Sequence, residues 1–552
     1  MKIIKKKCFS KVNIALMVIL TFGTAACTED FENINTPVDS ITIDNVDKNL
    51  LGNALAQAQY SGMMTWYQVS HNLYAGAWSQ FFAIIHPNFG SSNFQEIGGW
   101  SDPTFTGFYT NTRWGAAANQ LNFVEQFTAE NDRPVENAVA KIWRVQLYHR
   151  ITDYWGPIIY SEFGNLQTSV PYDSQEEIYH DFFETLDEAV AVLATNTEAV
   201  PFGSNDLVYG GDVEKYLKWA NSLRLRLAIR IAYVEPELAK QEAEKALNAL
   251  GGLIENNSDN ALLKSTRNNI NKLSSITYHT EFVMSATMES IMVGYNDPRT
   301  SVYWQQCCGR LTQFEDEGYA GLRNGLPPGE RSTSLESSHS FVGTKWLPIA
   351  DGGTNEPDRL MEASEVYFLR AEGALRGWNM GGTAMELYNQ GIRASLEERT
   401  DVSGDIINSY ITSTNTPVAP DNGIALYNSP PVTDIPVVYQ EGADFETQLE
   451  QIITQKWLSL FPMNDWEAWT ERRRTGYPVG YAIIESKNPE VSETELVRRL
   501  TFVSSEFNNN AEAVGEALLL LDGPDATNTR LWWDAKPLSD YPTPTDPITS
   551  AD

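Results

Sequence analysis

The sequence predicts a mainly α-helical protein with helical hairpins of the tetratricopeptide type, long irregular segments and few short strands. Three observations support this prediction. Apolar residues recur at helical intervals along much of the chain, a capping box precedes one of these stretches, and the intervening segments are rich in Pro, Gly, Asn and Ser. With 552 residues, 42% of them hydrophobic, the chain can bury a large core.

The N terminus has the pattern of a lipoprotein signal peptide over residues 1–26. A lysine-rich start precedes an apolar run at 14–22 and the small residues at 23–26. Cys27 follows directly, where a bacterial lipoprotein accepts its diacylglycerol; a chance cysteine after a plain secretory signal is the alternative. Because the run is shorter than the about 20 residues that cross a bilayer, we expect cleavage before Cys27 and anchoring through acyl chains such as palmitate.

Several helices are predicted in the mature part of the chain. Ser174 and Glu177 have the spacing of a capping box and open a helix whose apolar residues extend to Leu193. Further amphipathic helices are predicted at 215–234, 362–376, 383–399 and 448–461. The Gly-rich turn at 377–382 joins two of them into a hairpin, but no period of about 34 residues repeats. The hairpins are therefore at best degenerate tetratricopeptide-like repeats.

Long irregular segments interrupt the helices at 257–276, 311–355 and 413–438. Loops of more than about 15 residues in a compact protein are commonly functional or ordered by neighbouring elements. We predict residues 27–45 to be a lipidated tether and 46–552 to be a single domain. Its loop-rich insertions are expected at about 257–360 and 400–445.

Charge and cysteine usage exclude several classes of function. The net charge is −32, and −37 once the five lysines of the signal peptide are removed. Such a surface repels phosphate backbones and anionic lipid headgroups, so no nucleic-acid partner is expected. Besides Cys8 and Cys27 the chain contains only the adjacent Cys307 and Cys308, which form either a vicinal disulfide or two free thiols.

No motif indicates catalysis or a cofactor. The six histidines have no HExxH or similar metal spacing, and the phosphate-loop and nucleophile-elbow patterns do not occur. A glycosidase needs two carboxylates about 5 to 10 Å apart, and nothing in the sequence nominates a pair. Residues 351–355 with Asp358 loosely resemble a calcium loop, although the bidentate Glu of an EF-hand is missing. We therefore predict no catalytic residue and no cofactor, with calcium as an alternative.

Two segments are candidates for ligand binding, since sugars stack their C–H faces on aromatic rings. The first is the aromatic-rich stretch 60–114, where Phe94 and Trp100 have loop-like neighbours. Core positions are predicted there at helical spacing for Tyr74, Trp78 and Phe82. The second comprises 295–299 and 303–306, in which we expect Arg299 to be a structural ion-pair partner. The candidate ligand-binding residues are Trp304, Tyr295, Trp100, Phe94, Asn296 and Trp66.

Three consecutive arginines form a basic island in this acidic chain, at Arg472, Arg473 and Arg474. They are either a docking point for an anionic ligand or the end of a helix locked by buried carboxylate pairs. We favour the second interpretation, because Glu467 and two tryptophans are close in sequence.

A series of short motifs in fixed order resembles a known family. The motifs lie at 30–32, 35–37, 74–80, 150–157, 171–173, 209–212, 218–226, 296–299, 370–373, 388–392, 455–457, 466–469, the Arg-Arg-Thr-Gly-Tyr-Pro run 473–478, and 531–534. Together with Cys27 they resemble the SusD/RagB family of outer-membrane lipoproteins, and the match covers essentially all of the mature protein.

The resemblance implies a SusD-like fold and a non-enzymatic function. A protein of this family would bind oligosaccharide at the cell surface and deliver it to a SusC-like TonB-dependent transporter. The alternatives are the same scaffold binding peptides or another nutrient, and a surface glycoside hydrolase. The resemblance also implies an outer-membrane location, held by lipid at Cys27 and facing the exterior.

Overall fold

Helices dominate the structure, and strands are few and short, as the sequence predicts. The computed structural model describes residues 48–63, 67–96, 101–109, 117–165, 167, 169–265, 270–307, 318–348, 356–420 and 428–545. The chain divides into the units Met1–Leu51 and Gly52–Asp552, and the second contains both sheets of the described residues and the cavity described below. The signal peptide, Cys27, the predicted tether and the start of the domain at residue 46 lie outside the described residues.

The helices are short to medium in length. The α-helices are α1 Lys48–Gly62, α2 Gly76–Trp78, α3 Ser101–Tyr109, α4 Ala117–Glu130, α5 Pro134–Trp155, α6 Gln175–Leu193, α7 Val213–Arg230, α8 Pro236–Asn248, α9 Ala286–Gly294, α10 Thr300–Tyr303, α11 Ala363–Leu375, α12 Ala384–Arg399, α13 Gly404–Ile411, α14 Phe445–Leu460, α15 Asp465–Thr475, α16 Ser504–Asn509 and α17 Ala511–Ala517. A π-helix, Gln68–Ala75, runs directly into α2. Within the described part of the chain, no helix has the length and hydropathy needed to cross a bilayer.

The predicted helices are all present within a few residues of their expected ends. The capping box forms as expected, because the Glu177 N–H donates to Ser174 Oγ at 3.2 Å and the Ser174 N–H donates to the Glu177 carboxylate at 3.1 Å. Thr383 and Glu386 form a second box at the start of α12.

Neighbouring helices pack as hairpins. The pairs α4–α5, α7–α8 and α11–α12 are joined by short turns, and α6 packs on both α5 and α7. The predicted hairpin of 362–399 is therefore confirmed as α11–α12, and α14 packs against it.

Two small antiparallel sheets connect distant parts of the chain. β1 Phe82–Ile84 pairs with β3 Phe282–Met284, and β2 Ala261–Leu263 pairs with β4 Asp358–Met361. The first pairing brings the aromatic-rich segment next to the segment that contains Tyr295. Beyond α10, Cys307 forms an isolated bridge with Gly318 and is disulfide-bonded, whereas Cys308 lies outside the described residues.

A cluster of aromatic rings fills the interior around Phe461. Its ring centre lies 4.9 Å from that of Trp304 and 5.6 Å from that of Phe82. Tyr74 and Trp78 are buried as well, so the predicted core positions at helical spacing are confirmed. Such contacts between rings add to the free energy gained by removing their surface from water.

Buried ion pairs cross the helical layer. Arg230 of α7 contacts Asp153 at 2.6 Å and also pairs with Glu467 of α15. Arg226 contacts Glu365 of α11 at 2.7 Å, and Lys456 of α14 lies 3.1 Å from Glu467. These groups are almost completely excluded from solvent, so each charge is stabilised by its partners rather than by water.

Glu450 on α14 is a partly buried carboxyl with a raised pKa. Burial raises the pKa to about 7; the bond from the Thr433 hydroxyl, 2.7 Å long, opposes this rise, and the charges of Asp434 and Glu446 add to it. Because the folded pKa lies above the unfolded value near 4.5, ionising Glu450 destabilises the native state. Stability is therefore lost as the pH rises from the unfolded to the folded pKa.

We expect Glu450→Gln to raise the free energy of unfolding by about 1–3 kcal/mol at about pH 8, where Glu450 is charged, and by less than about 1 kcal/mol at about pH 5. Urea denaturation at the two pH values measures the difference. The control Glu441→Gln changes an exposed carboxyl and should have little effect. Equal effects of Glu450→Gln at both pH values would contradict the raised pKa.

Candidate functional site

A cavity of about 400 Å³ opens beside the C-terminal end of α9. Its polar lining residues include Asn296, Ser301 and Tyr319. Its apolar lining residues include Val293 and Ile406, which are 40% and 48% exposed. The volume lies within the range of about 300–1,000 Å³ that is common for ligand pockets. The cavity thus combines an aromatic ring and apolar surface with amide and hydroxyl groups.

A buried ion pair between Arg299 and Asp297 holds the loop that lines this cavity. Arg299 Nη2 lies 2.6 Å from Asp297 Oδ2 and donates to Gln455 Oε1 at 2.9 Å, while the Tyr410 hydroxyl donates to Asp297 at 2.5 Å. Burial would lower the pKa of Arg299, but the Asp297 carboxylate outweighs it and raises that pKa above its ordinary value. The predicted structural role of Arg299 is confirmed.

Asn296 is the candidate residue that the structure places at the cavity. Its side chain is exposed, and its backbone has a φ of 51°, in the left-handed region that Asn tolerates better than most residues. The Asn296 N–H donates to the Val293 carbonyl at 3.0 Å, which closes the end of α9. This geometry leaves the amide at the mouth of the cavity.

Trp304 and Tyr295 lie in the interior and are each only 1% exposed. The Trp304 ring is packed against Phe82 and Phe461, and the Tyr295 hydroxyl donates to the Ile435 carbonyl at 3.1 Å. A sugar cannot stack on a ring that other side chains cover. The prediction that these two rings contact a ligand is therefore wrong for this conformation, and both are core residues.

Phe94 is also buried, at 6% exposure, and takes a left-handed conformation with a φ of 63° at the end of a short 3-10 turn. Its carbonyl accepts a hydrogen bond of 2.9 Å from Asn488. Phe94 thus belongs to the packed interior, which corrects its prediction as a ligand contact. Trp66 and Trp100 lie outside the described residues.

Tyr319 is an aromatic residue of the cavity lining that sequence reasoning did not nominate. It follows the bridge in which Cys307 N donates to Gly318 O at 2.8 Å, and it is half-buried. This burial raises the pKa of its hydroxyl. Because Tyr319 stands alone in an irregular segment, no local pattern could have shown that it lies near Asn296.

The three arginines of the basic island have different environments. Arg474 makes two hydrogen bonds to the Glu372 carboxylate, of 2.7 and 2.6 Å, and one to Glu471. Arg473 donates to backbone carbonyls and lies over the Trp469 ring at 3.5 Å. The predicted pairing with buried carboxylates is confirmed for Arg474. It is wrong for Arg472 and Arg473, which form no ion pair among the described residues.

One group of side chains has the composition of a metal site. Ligand atoms of Glu176, His180 and Glu235 lie within 4.8 Å of one another, with Glu176 exposed and the other two half-buried. His180 Nε2 lies 2.9 Å from Glu235 Oε2, so the group already forms an ion pair or hydrogen bond. Sequence spacing did not reveal it, because Glu235 lies at the start of a different helix, α8.

Asp358 is one of the two acidic residues in the segment that loosely resembles a calcium loop, and it has a partner in the structure. Asp358 is buried on β4, and its carboxylate accepts the Lys272 N–H at 3.0 Å. Burial raises the pKa of Asp358, which the Lys272 charge partly offsets. A carboxylate used in this way is not presented to a surface loop, and residues 351–355 lie outside the described residues.

Within the described residues, the carboxyls whose pKa is raised by burial lie outside the lining of the cavity at Asn296. Burial raises the pKa of Glu96, Glu125, Asp153, Asp358 and Glu450. None of these carboxyls lines the cavity at Asn296.

The chain is similar to known proteins over most of its length. The family model described as SusD-like, SusD and RagB outer membrane lipoprotein, matches residues 33–534. None of the curated proteins compared with the chain matches it.

Solved structures of SusD homologues are similar to this fold. A chitin-binding SusD homologue from Flavobacterium johnsoniae is 35% identical, with a TM-score of 0.75 over 88% of this chain and 99% of that one. SusD homologues from Bacteroides uniformis and Bacteroides ovatus are 34% and 32% identical, with TM-scores of 0.78 and 0.77. The first alignment covers 88% of this chain and 99% of the other, and the second covers 89% and 100%. The chain therefore belongs to the SusD/RagB family of outer-membrane lipoproteins.

Proposed function

We propose that this protein binds an oligosaccharide at the cell surface and delivers it to a SusC-like TonB-dependent transporter. The observation that supports this proposal is the similarity, over 88% of this chain, to a chitin-binding SusD homologue. The cavity beside α9 supports it, since an exposed amide, a hydroxyl and a tyrosine ring are the groups that recognise sugar hydroxyls and C–H faces.

The anchor fits the same proposal. An acylated Cys27 would hold the receptor at the outer membrane, facing the exterior, while the folded part stays free to contact its transporter. We expect no glycosidase activity, because among the described residues no carboxyl with a raised pKa lines the cavity at Asn296. Neither a metal nor another cofactor is needed for binding of this kind.

The test measures binding of the mature protein to a panel of oligosaccharides, including chitooligosaccharides, by isothermal titration calorimetry. Chitooligosaccharides enter the panel because of the relative that binds chitin. Failure to bind any sugar, together with failure to copurify a transporter from native membranes, would contradict the proposal. Retention of peptides instead of sugars would assign the scaffold to another nutrient.

We expect Tyr319→Ala to weaken sugar binding by about 2- to 12-fold, because one stacking contact contributes about 0.5–1.5 kcal/mol. The matched control is Tyr278→Ala, which removes a tyrosine that is 68% exposed and is not part of the cavity. If the two variants bind the sugar equally well, the ligand lies elsewhere on the protein.

A further inference from the structure

Two helices bring the side chains of Glu176, His180 and Glu235 together. Glu176 and His180 are one turn apart on α6, with the i, i+4 spacing that places two side chains on the same face of a helix. Glu235 directly precedes Pro236, the first residue of α8. None of the three lines the cavity at Asn296. A role for this group would therefore go beyond the sugar binding proposed above.

The ligand atoms of this group lie at distances that a transition-metal ion can bridge. Each side chain offers one atom within 4.8 Å of the other two, and His180 Nε2 lies 2.9 Å from Glu235 Oε2. Two ligand atoms of a tetrahedral Zn²⁺ lie about 3.4 Å apart, since each bond is about 2.0–2.2 Å long. His180 and Glu235 need to separate only slightly around an ion, and the exposed Glu176 carboxylate can rotate towards it.

Two of the three ligands are already held in place. The Glu235 N–H donates to the Ile231 carbonyl at 2.9 Å, and the Glu235 carbonyl accepts from the Ala239 N–H at 2.9 Å. The Glu235 side chain does not cap its own helix and reaches His180 instead. The His180 ring packs edge to face on Trp532, with ring centres 6.1 Å apart. Side chains that are positioned before a ligand arrives lose less conformational entropy when it binds.

The carboxylates of this group have no basic partner among the described residues. Neither Glu176 nor Glu235 forms an ion pair with a lysine or an arginine in that part of the chain. Their neighbours on α6 are used differently, because Glu177 belongs to the capping box and Asp181 contacts Arg144 at 2.6 Å. A divalent cation would therefore neutralise two carboxylates that no other cation of the described residues balances.

We propose that Glu176, His180 and Glu235 bind Zn²⁺ and so connect α6 to the start of α8. An imidazole with two carboxylates is a ligand set that Zn²⁺ accepts, whereas Ca²⁺ and Mg²⁺ prefer oxygen ligands alone. The ion takes the place of the proton shared by His180 Nε2 and Glu235 Oε2, and this proton passes to solvent. Because α6 and α8 both pack on α7, the ion links two neighbours of one helix and stabilises the folded state.

The test uses the full-length lipoprotein in detergent, purified without a histidine tag and freed of metal with EDTA. Equilibrium dialysis against ZnCl₂ in excess MgCl₂ measures the Zn²⁺ bound per chain, and thermal unfolding measures the stability. We expect saturable binding of one Zn²⁺ per chain and a higher Tm in its presence. The absence of saturable binding, or its displacement by Mg²⁺ as on a merely acidic surface, would overturn the proposal.

Variants of the ligands locate the site. His180→Gln and Glu235→Gln should each weaken Zn²⁺ binding at least about tenfold, since even residues outside the ligand shell contribute about 10- to 100-fold to metal affinity. The rise in Tm should be lost with it. The matched control His279→Gln changes a half-buried histidine outside this group and should leave both unchanged. Unchanged Zn²⁺ binding in His180→Gln would overturn the proposed position.

Glu176→Gln keeps the test decisive even if loss of the contact between His180 and Glu235 unfolds the protein. Glu176 is exposed, so this variant should fold like the unchanged protein. It should nevertheless weaken Zn²⁺ binding at least about tenfold, because it removes one of three ligands. A folded Glu176→Gln variant that binds Zn²⁺ as tightly as the unchanged protein would overturn the three-ligand site.

Discussion

Glu467→Gln is expected to lower the free energy of unfolding by about 3–5 kcal/mol at neutral pH, because it removes one charge from a buried network. Glu467 is 0% exposed and pairs with Arg230 through one oxygen and with Lys456, at 3.1 Å, through the other. A glutamine has a single acceptor oxygen. One of the two cations would therefore face an NH₂ group instead of an oxygen.

The same network predicts loss of stability in acid. Burial would raise the pKa of Glu467, but the charges of Arg230 and Lys456 outweigh it and hold that pKa well below its usual value. Arg474 likewise outweighs the effect of burial on Glu372 and lowers its pKa to about 2. Carboxylates with lowered pKa contribute stability above their unfolded pKa, and this contribution is lost as the pH falls through the folded value. We therefore expect stability to fall between about pH 4.5 and about pH 2.

Urea denaturation followed by tryptophan fluorescence measures the effect of Glu467→Gln as a shift in midpoint. The matched control is Glu188→Gln, since Glu188 pairs with Lys141 at the surface and its side chain is 65% exposed. A pair of this kind contributes about 0–1 kcal/mol. If the two variants lose equally little stability, the buried network does not support the fold as argued.

Cys27→Ala is expected to abolish labelling by radioactive palmitate and to remove the protein from the outer-membrane fraction. Each buried CH₂ of an acyl chain contributes about 0.8 kcal/mol, and two or three chains hold a protein on a membrane stably. The stability of the folded part should not change, since residue 27 precedes the predicted domain at 46–552. Density-gradient fractionation of membranes gives the location, and denaturation of the purified variant gives the stability.

The matched control is Cys8→Ala, because Cys8 lies in the lysine-rich start of the signal peptide and is predicted to be removed with it. This variant should be labelled and anchored like the unchanged protein. A Cys27→Ala variant that still incorporates palmitate would show that the lipid is attached elsewhere.

Features that depend on residues close together along the chain, or on the order of motifs, were predictable from the sequence. Helical periodicity indicated the hairpin of α11 and α12, and the spacing of Ser174 and Glu177 indicated the capping box, because both depend on residues that are close along the chain. The family could be identified for a similar reason, since its motifs occur in a fixed linear order from the N terminus to residue 534.

The candidate site was only partly predictable. Asn296 lines the cavity, while Trp304 and Tyr295, predicted as ligand contacts, are core residues. An aromatic residue in an irregular segment has the same local pattern whether it is covered or exposed. Trp304 is covered because β1 pairs with β3 and Phe461 packs on its ring, and both contacts come from distant parts of the chain.

The helical class and the family of this protein follow from its sequence, and the lipid anchor is a prediction from the same source. Which side chains meet depends on how the helices and irregular segments pack in three dimensions. Packing places Tyr319 and Asn296 at the same cavity. It gives Arg474 carboxylate partners, whereas Arg472 has none among the described residues. The physical reason is that periodicity and capping follow from neighbours in sequence, whereas burial and charge pairing follow from neighbours in space.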